Sequence, residues 1–456
     1  MDNRYIEEII ELLRNGTTDE IRRGIMDYHP YEVSEALVEM SEAERAKFYS
    51  VFQGKDISAI MGYLDIEDLV LFFEEMKPRY IVNIIQDLDI DDAVDVMQAL
   101  PEEDRAAYLK LMTQDNQSKI RSLLKYQEDT AGSIMTTEYI EIDMEDSVEQ
   151  AMKKLIAQAV DAETISTLYV TDSKNVLVGT LSLREIILAR KGQVIKDIMN
   201  ARIISVPSTM DQEEVAAIFK DYDFTSLPVV DKLSRMLGII TIDDIVDVID
   251  EEAVEDYSRL AAVSDVDIDS ENETIWMSAK KRLPWLLVLS ILGFATSTII
   301  AQFETTLAAV PTIALFMPMI LGMAGNTGTQ ALAVTVRGLN NNEFDSKNEI
   351  GRHLLRELGT GLLNGVIIGV ILFAVTYGFL AISQNANAFS ITQAVSLAIM
   401  VSLTVSTFAG ALIPIVINSF KVDPAVASGP FVTMVVDILA ISVYFTLATV
   451  LIINTL

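Results

Sequence analysis

Asp437 is the one charged residue in PAVASGPFVTMVVDILAISVYFTLATVLII, residues 424–453. An apolar run of this length reads as a membrane helix, which needs about 20 residues. A carboxylate at that depth costs at least about 2.5 kcal/mol on insertion scales. No Lys or Arg falls inside any apolar run to pair with it. It can be protonated and bonded to Ser or Thr, or it can serve a cation or proton; the second reading is preferred. The stretch PMILGMAGNTGTQ, residues 318–330, supplies uncharged oxygens from Asn326, Thr327, Thr329 and Gln330 between Gly322, Gly325 and Gly328. Glycines at this density let helices approach closely. They also permit an irregular backbone, which membrane depth tolerates only where it lines a wet path. Asn and Gln are unfavourable in lipid, so the irregular backbone is the expectation. The donors are carboxylate, amide and carbonyl oxygens, which suit a hard cation over zinc or copper. Mg²⁺ keeps several of its waters, so one carboxylate per subunit, doubled on a two-fold axis, would serve it; the same donors are compatible with Mn²⁺ or Co²⁺.

A second set of carboxylates lies in DDIVDVIDEEAVEDYSRL, residues 243–260. Asp243, Asp247, Glu251 and Glu255 fall at i, i+4 steps, and Asp244, Asp250, Glu252 and Asp256 share the helix. Like charges at that spacing destabilise a helix by a few tenths of a kcal/mol per pair. A solvated acidic face is one reading. The other is a face that meets acidic surfaces only when divalent cations bridge them, a two-state cation sensor.

The elements that must position these groups divide the chain. It has 456 residues and a net charge of −32. From Lys280 onward bases and acids nearly balance, so the part before Lys280 is strongly acidic. That part repels nucleic acid and attracts cations. There is no cysteine, hence no disulfide or thiolate chemistry. The acidic start MDNRYIEEII lacks a signal-peptide layout, so the first part is expected in the cytoplasm. Five apolar segments follow Arg282, at about 283–303, 306–335, 358–383, 391–420 and 424–453. Bases gather before the first (Lys280, Lys281, Arg282), between the second and third (Arg337, Lys347, Arg352, Arg356) and between the fourth and fifth (Lys421). The positive-inside rule then puts the N-terminus inside and the C-terminus outside. Of the two histidines, His29 belongs to the soluble part and His353 to a loop.

Residues 1–130 read as an all-helical, acidic solenoid, in which LDIEDLVLFFEEM (64–76) and LDIDDAVDVMQAL (88–100) repeat; its methionines and aromatics are core. Residues 132–250 contain a second repeat. IM recurs at 134–135 and 198–199, LYVTD (168–172) matches LPVVD (227–231), and VGTLSLREII (178–187) matches LGIITIDDIV (237–246). Each copy reads strand, helix, strand, strand, helix. The pattern resembles a tandem CBS domain pair, a module that commonly binds adenine nucleotides in its cleft. The resemblance places Thr241 and Asp244 at phosphate- and ribose-contacting positions, with Ser182 and Glu185 at the equivalent positions of the first copy, and implies ATP as a ligand.

An acidic helical N-domain (1–130), a CBS pair (131–250), an acidic connecting or plug helix (251–279) and a five-span transmembrane domain (280–456), in this order, resemble the MgtE family of bacterial Mg²⁺ channels. PMILGMAGNTGTQ and KVDPAVASGPFVTMVVD (421–437) resemble that family's second- and fifth-span motifs, with Ala324 and Thr329 as departures. The resemblance implies a multi-pass homodimer in the bacterial plasma membrane, contacting lipid, with the pore on the two-fold axis. It implies Asp437 as the ion-selecting carboxylate, with Asn326, Gly325 and Ala324 near the ion path. It also implies closure by cytosolic Mg²⁺ between N-domain, CBS pair and connecting helix, with Asp91, Asp92, Asp244, Asp247, Asp250, Glu251, Glu255 and Asp256 as candidate sensor acids. Competing readings are an ion-coupled divalent-cation exporter and a membrane-tethered sensor of nucleotide or divalent cation that transports nothing. An enzyme is disfavoured, because no HExxH, P-loop or Cys–His pairing is present.

Overall fold

The computed structural model describes residues 4–263, 274–340, 343–344, 346–385, 387–424 and 427–452. These fall into two compact units, 1–249 and 250–456.

The first unit begins with a run of short helices, α1 (Arg4–Asn15) to α10 (Gln114–Leu123). Their ends are written in the sequence. Thr17 with Glu20 and Ser41 with Glu44 form reciprocal caps, and Pro30 and Pro78 stand in first turns. Most of these helices pack on the next but one, α1 on α3, α3 on α5, α5 on α7, α6 on α8 and α7 on α9. Leu13, Leu37, Phe48 and Phe52 are fully buried there, each contributing about 1.5–3 kcal/mol. This is the expected solenoid.

The repeat then folds as read. β1 (Ile140–Asp143), α11 (Val148–Gln158), β2 (Thr167–Thr171), β3 (Leu177–Ser182) and α12 (Leu183–Leu188) form one copy. β4 (Val206–Pro207), α13 (Gln212–Tyr222), β5 (Ser226–Val230), β6 (Met236–Thr241) and α14 (Ile242–Leu260) form the other. In both sheets the first strand pairs parallel and the last antiparallel to the middle one. The copies interlock. Thr136, ahead of the first copy, pairs with Ile239 of β6, and Asn200, ahead of the second, pairs with Thr180 of β3. The repeated IM motif follows from this exchange. A Cβ on Gly238 would meet Met135 Sδ at 3.1 Å, and one on Gly179 would meet Met199 Sδ at 2.5 Å. Each methionine needs a glycine in the other copy.

The expected start of the connecting segment at 251 falls inside α14, which runs from Ile242 to Leu260, and lies next to the division between the two units at 249–250. The stretch 264–273 of the expected 251–279 helix lies outside the described residues, and Ile275 begins the next helix.

The second unit contains α15 (Ile275–Gln302), α16 (Glu304–Ala309), α17 (Met317–Asn340), α18 (Lys347–Ile382), α19 (Ala388–Ser419) and α20 (Gly429–Ile452). Among the described residues, α15, α18, α19 and α20 are long and apolar enough to cross a membrane. The expected second span differs from that reading in two ways. Residues 304–316 form a short helix and a 3-10 turn, so the long helix starts at Met317 rather than near 306. That helix, α17, also carries enough Gly, Thr, Asn and Gln to fall outside the apolar set. His353 is corrected as well. It lies in α18, not a loop, and is 9% exposed. Thr335 donates its hydroxyl hydrogen to the Ala331 carbonyl, so its oxygen accepts from His353 Nε2 at 2.8 Å. Close packing of α18 on α19 uses Gly361, Gly365 and Gly369, where Cβ atoms would meet Thr407, Met400 and Ser396.

Candidate ion path, sensor acids and nucleotide cleft

The GNTGTQ stretch lies within the regular helix α17, so the expected irregular backbone is overturned. Its glycines serve helix approach instead. A Cβ on Gly325 would lie 2.8 Å from Thr433 Cγ2 and 3.7 Å from Asp437 Oδ1, both on α20. A Cβ on Gly328 would lie 3.2 Å from Val436, and Gly410 of α19 abuts the Gly328 carbonyl. The three helices meet here almost backbone to backbone. The threonine hydroxyls bond within their own helices. Thr327 donates to Met323 O at 2.8 Å, Thr329 to Asn326 O at 3.0 Å and Thr433 to Gly429 O at 2.9 Å.

Asp437 stands one turn after Thr433. Its Oδ1 is buried and has no hydrogen-bond partner among the described residues, a costly state for a carboxylate oxygen. The structure thus brings Gly325 to Asp437. It separates the two other expected neighbours. Asn326 is exposed on the surface of the protomer, whereas Ala324 is fully buried in an apolar cluster with Ile391, Ala394 and Ile441. The Ala324 side chain belongs to the core of the second unit.

The sensor acids Asp91, Asp92 and Asp244 come together in the first unit, with Asp89, Asp243, Asp247 and Glu163 around them. Asp91, on α8 (Ile90–Ala99), is 8% exposed. Burial first, then Asp244, Asp92 and Glu163, push its carboxyl well above the usual range. Burial and the surrounding aspartates raise Asp92 to about 7. Glu163, which precedes β2, rises to about 7 from burial, Asp89 and Asp243. Asp244 is raised by burial, against the opposing Thr241 bonds, with Oγ1 donating to Oδ2 at 2.6 Å. Glu163 and Asp89 were not singled out in the sequence. Only tertiary folding sets the segment before β2 against α8 and α14. Among the described residues no three His, Asp or Glu side chains converge tightly enough to chelate a bare ion. The arrangement suits a cation that retains water and is held by spaced charges.

The later sensor candidates lie on α14. Asp247, Asp250, Glu251 and Glu255 are exposed and Asp256 is half-buried. Burial and the neighbouring Asp423 raise Asp256, and its Oδ2 accepts from Asn340 Nδ2 at 2.6 Å.

A polar cleft of about 290 Å³ opens between the CBS copies. Ser182, Glu185, Asn200, Arg202, Phe224 and Ser226 are among its lining residues. Thr241 and Asp244 are not. Thr241 is 5% exposed, and Asp244 is committed to it within the acidic cluster. The positions carrying the first copy's Ser and Glu front the cleft.

An acidic helical body, an interlocked CBS pair and a bundle of apolar helices around a half-buried carboxylate together define a divalent-cation transporter with an acidic helical domain and a CBS pair ahead of its membrane part. Three families match in chain order: the MgtE intracellular N domain over 28–129, the CBS domain over 131–192 and 195–251, and MgtE, described as a divalent cation transporter, over 317–447. The chain belongs to the MgtE family. It is 36% identical over 447 residues to magnesium transporter MgtE of Bacillus subtilis, covering 98% of this chain and 97% of that one. It is 31% identical over 457 residues to magnesium transporter MgtE of Thermus thermophilus, covering 99% of each. Among solved structures, the soluble part of a magnesium transporter aligns at 36% identity and TM-score 0.51, over 55% of this chain and 98% of that one. The cytosolic domain of the Mg²⁺ channel MgtE in complex with ATP aligns at 33% identity and TM-score 0.51, over 53% and 99%.

Proposed function

We propose that this protein carries Mg²⁺ into the cell through a path built on Asp437. The observation that carries the reading is the partnerless, buried Asp437 Oδ1, set against the side-chain-free surface of Gly325. A hydrated divalent cation neutralises such a carboxylate without demanding a dry cage. Full-length kinship to magnesium transporters supports the choice of ion. The protein acts as a homodimer in the bacterial plasma membrane, pairing Asp437 across the two-fold axis with Asn326 facing the same path. The bases at helix ends hold the N-terminus in the cytoplasm and the C-terminus outside. Residues 1–130, 131–250, 251–279 and 280–456 act as N-domain, CBS pair, connecting segment and pore domain.

Cytosolic Mg²⁺ closes the path. Asp91, Asp92, Asp244 and Asp247, with Glu163 and Asp89, gather too much like charge to be ionised together without a counter-ion, and Asp250, Glu251, Glu255 and Asp256 extend the acidic surface along α14. ATP occupies the cleft of Ser182, Glu185 and Arg202, with Phe224 available to the base. No catalytic role is assigned.

Proteoliposomes loaded with a Mg²⁺ dye test the ion path. Wild type takes up Mg²⁺ at low internal Mg²⁺, and Asp437→Ala, still dimeric, loses uptake or its preference for Mg²⁺. Equal uptake by both removes Asp437 from the path.

A further inference from the structure

Among acids invoked to bind regulatory cations stands a cation that the chain supplies itself. Arg259, in the last turn of α14, pairs with Glu255 one turn earlier and with Asp423 in the α19–α20 connection. Arg259 and Asp423 are 37% and 30% exposed, so the network is partly withdrawn from water. Asp256 lies beside it, held by Asn340 at the end of α17. Next to the ion pairs, Leu260 packs with Leu332, Val336, Val432 and Val436. A Cβ on Gly429 would lie 3.4 Å from the Leu260 carbonyl. The end of α14 is therefore seated on α17 and α20, the two helices that meet at Asp437. Arg259 places a guanidinium among the carboxylates of Glu255, Asp256 and Asp423 at this seat. Lys421, two residues before Asp423, is exposed.

We infer that Arg259 is a tethered counter-cation that holds the end of α14 on the pore helices and so lowers the Mg²⁺ concentration needed for closure. It is a positioning residue, acting through Asp423 and Glu255 rather than on the transported ion. The inference rests on the reading that cytosolic Mg²⁺ closes the path. It adds that the closing charge is divided between a free ion and a fixed guanidinium. A single partly exposed pair is worth little, whereas a network spanning two elements is worth more.

The chain has no cysteine, so Leu260→Cys with Gly429→Cys places the only thiols at the seat. Disulfide formation in membranes, followed against Mg²⁺ concentration, reads docking without requiring transport. With Arg259 present, cross-linking persists in EDTA and rises with Mg²⁺. With Arg259→Gln, it is lost in EDTA and the half-maximal Mg²⁺ rises about tenfold, equivalent to about 1.4 kcal/mol. Arg259→Lys recovers most of the difference. Arg259→Glu abolishes docking, and Arg259→Glu with Asp423→Arg restores it. Unchanged Mg²⁺ dependence in Arg259→Gln overturns the inference, as does failure of the exchanged pair to recover docking. Cross-linking of the Arg259 protein that ignores Mg²⁺, in vesicles whose uptake internal Mg²⁺ does not inhibit, overturns the regulatory reading itself.

Discussion

At the residue scale, the grip on Asp437 depends on what Gly325 lacks. A methyl group there would strike Thr433 Cγ2 at 2.8 Å, and neither backbone has room to retreat because Gly328 and Gly410 are in contact one turn away. Overpacking of this kind costs about 1–3 kcal/mol, and here it would push the turn bearing Asp437 away from α17. Gly325→Ala is expected to reduce Mg²⁺ uptake severalfold while the protein remains folded. Thr433→Ser removes the struck methyl and keeps the hydroxyl bond to Gly429, so the double substitution should recover uptake. Absence of recovery in the dye assay would show that the contact does not set the position of Asp437. The sequence disclosed Asp437 because charge inside an apolar run stands out. It did not disclose how the glycines work. Gly325 and Gly328 are compatible with an irregular backbone or with a tight helix crossing, and only the partner helix decides. Ala324 and Asn326 show the same limit. Adjacent residues on a helix point about 100° apart, so a motif read along the chain mixes core-facing and path-facing positions.

At the element scale, the proposed sensor acids are expected to couple cation binding to protons. Burial among like charges pushes Asp92 and Glu163 up to about 7 in the folded unit, from ordinary values of 3.8 and 4.5. Both folded values are raised, so their protonated forms favour the fold. That stability is fully present below the ordinary carboxyl range and is lost as pH rises through about 7. A cation must displace those protons at pH 6 and finds the carboxylates largely bare at pH 8. The Mg²⁺ concentration that half-closes the path is therefore expected to fall severalfold between pH 6 and pH 8. Uptake measured against internal Mg²⁺ at the two values checks this. A requirement that is constant or moves the other way would remove these acids from the sensor. The CBS elements were legible because strand, helix, strand, strand, helix recurs with matched apolar patterns. The interlocking was not, since isolated bridges such as Thr136–Ile239 and Thr180–Asn200 leave no periodic signal. The repeated IM was visible, and its meaning lay in glycines of the opposite copy.

At the scale of the whole molecule, the nucleotide reading changes side. The resemblance to a CBS pair favoured Thr241 and Asp244 as the ribose- and phosphate-contacting positions. Folding turns both into the acidic cluster and leaves Ser182, Glu185 and Arg202 at the open cleft. Arg202 supplies the charge suited to a phosphate. Arg202→Ala should weaken ATP binding about tenfold, read by calorimetry on the detergent-solubilised full chain. Wild-type affinity in that variant would place the nucleotide elsewhere. The order of domains was legible from charge and hydropathy alone. The end of the connecting segment's independence was not, because the acidic ladder carries the same helical signal on both sides of residue 250.

That continuity has a mechanical consequence. α14 runs from Ile242 to Leu260 without a break. At about 1.5 Å per residue, Ile242–Leu260 is a strut of roughly 28 Å. A tilt of about 10° at its CBS end would sweep the far end by about 5 Å, close to one helical pitch. A small change of angle along α14 would thus reach Leu260 as a displacement comparable to its whole apolar seat, with the helix acting as a lever rather than a tether.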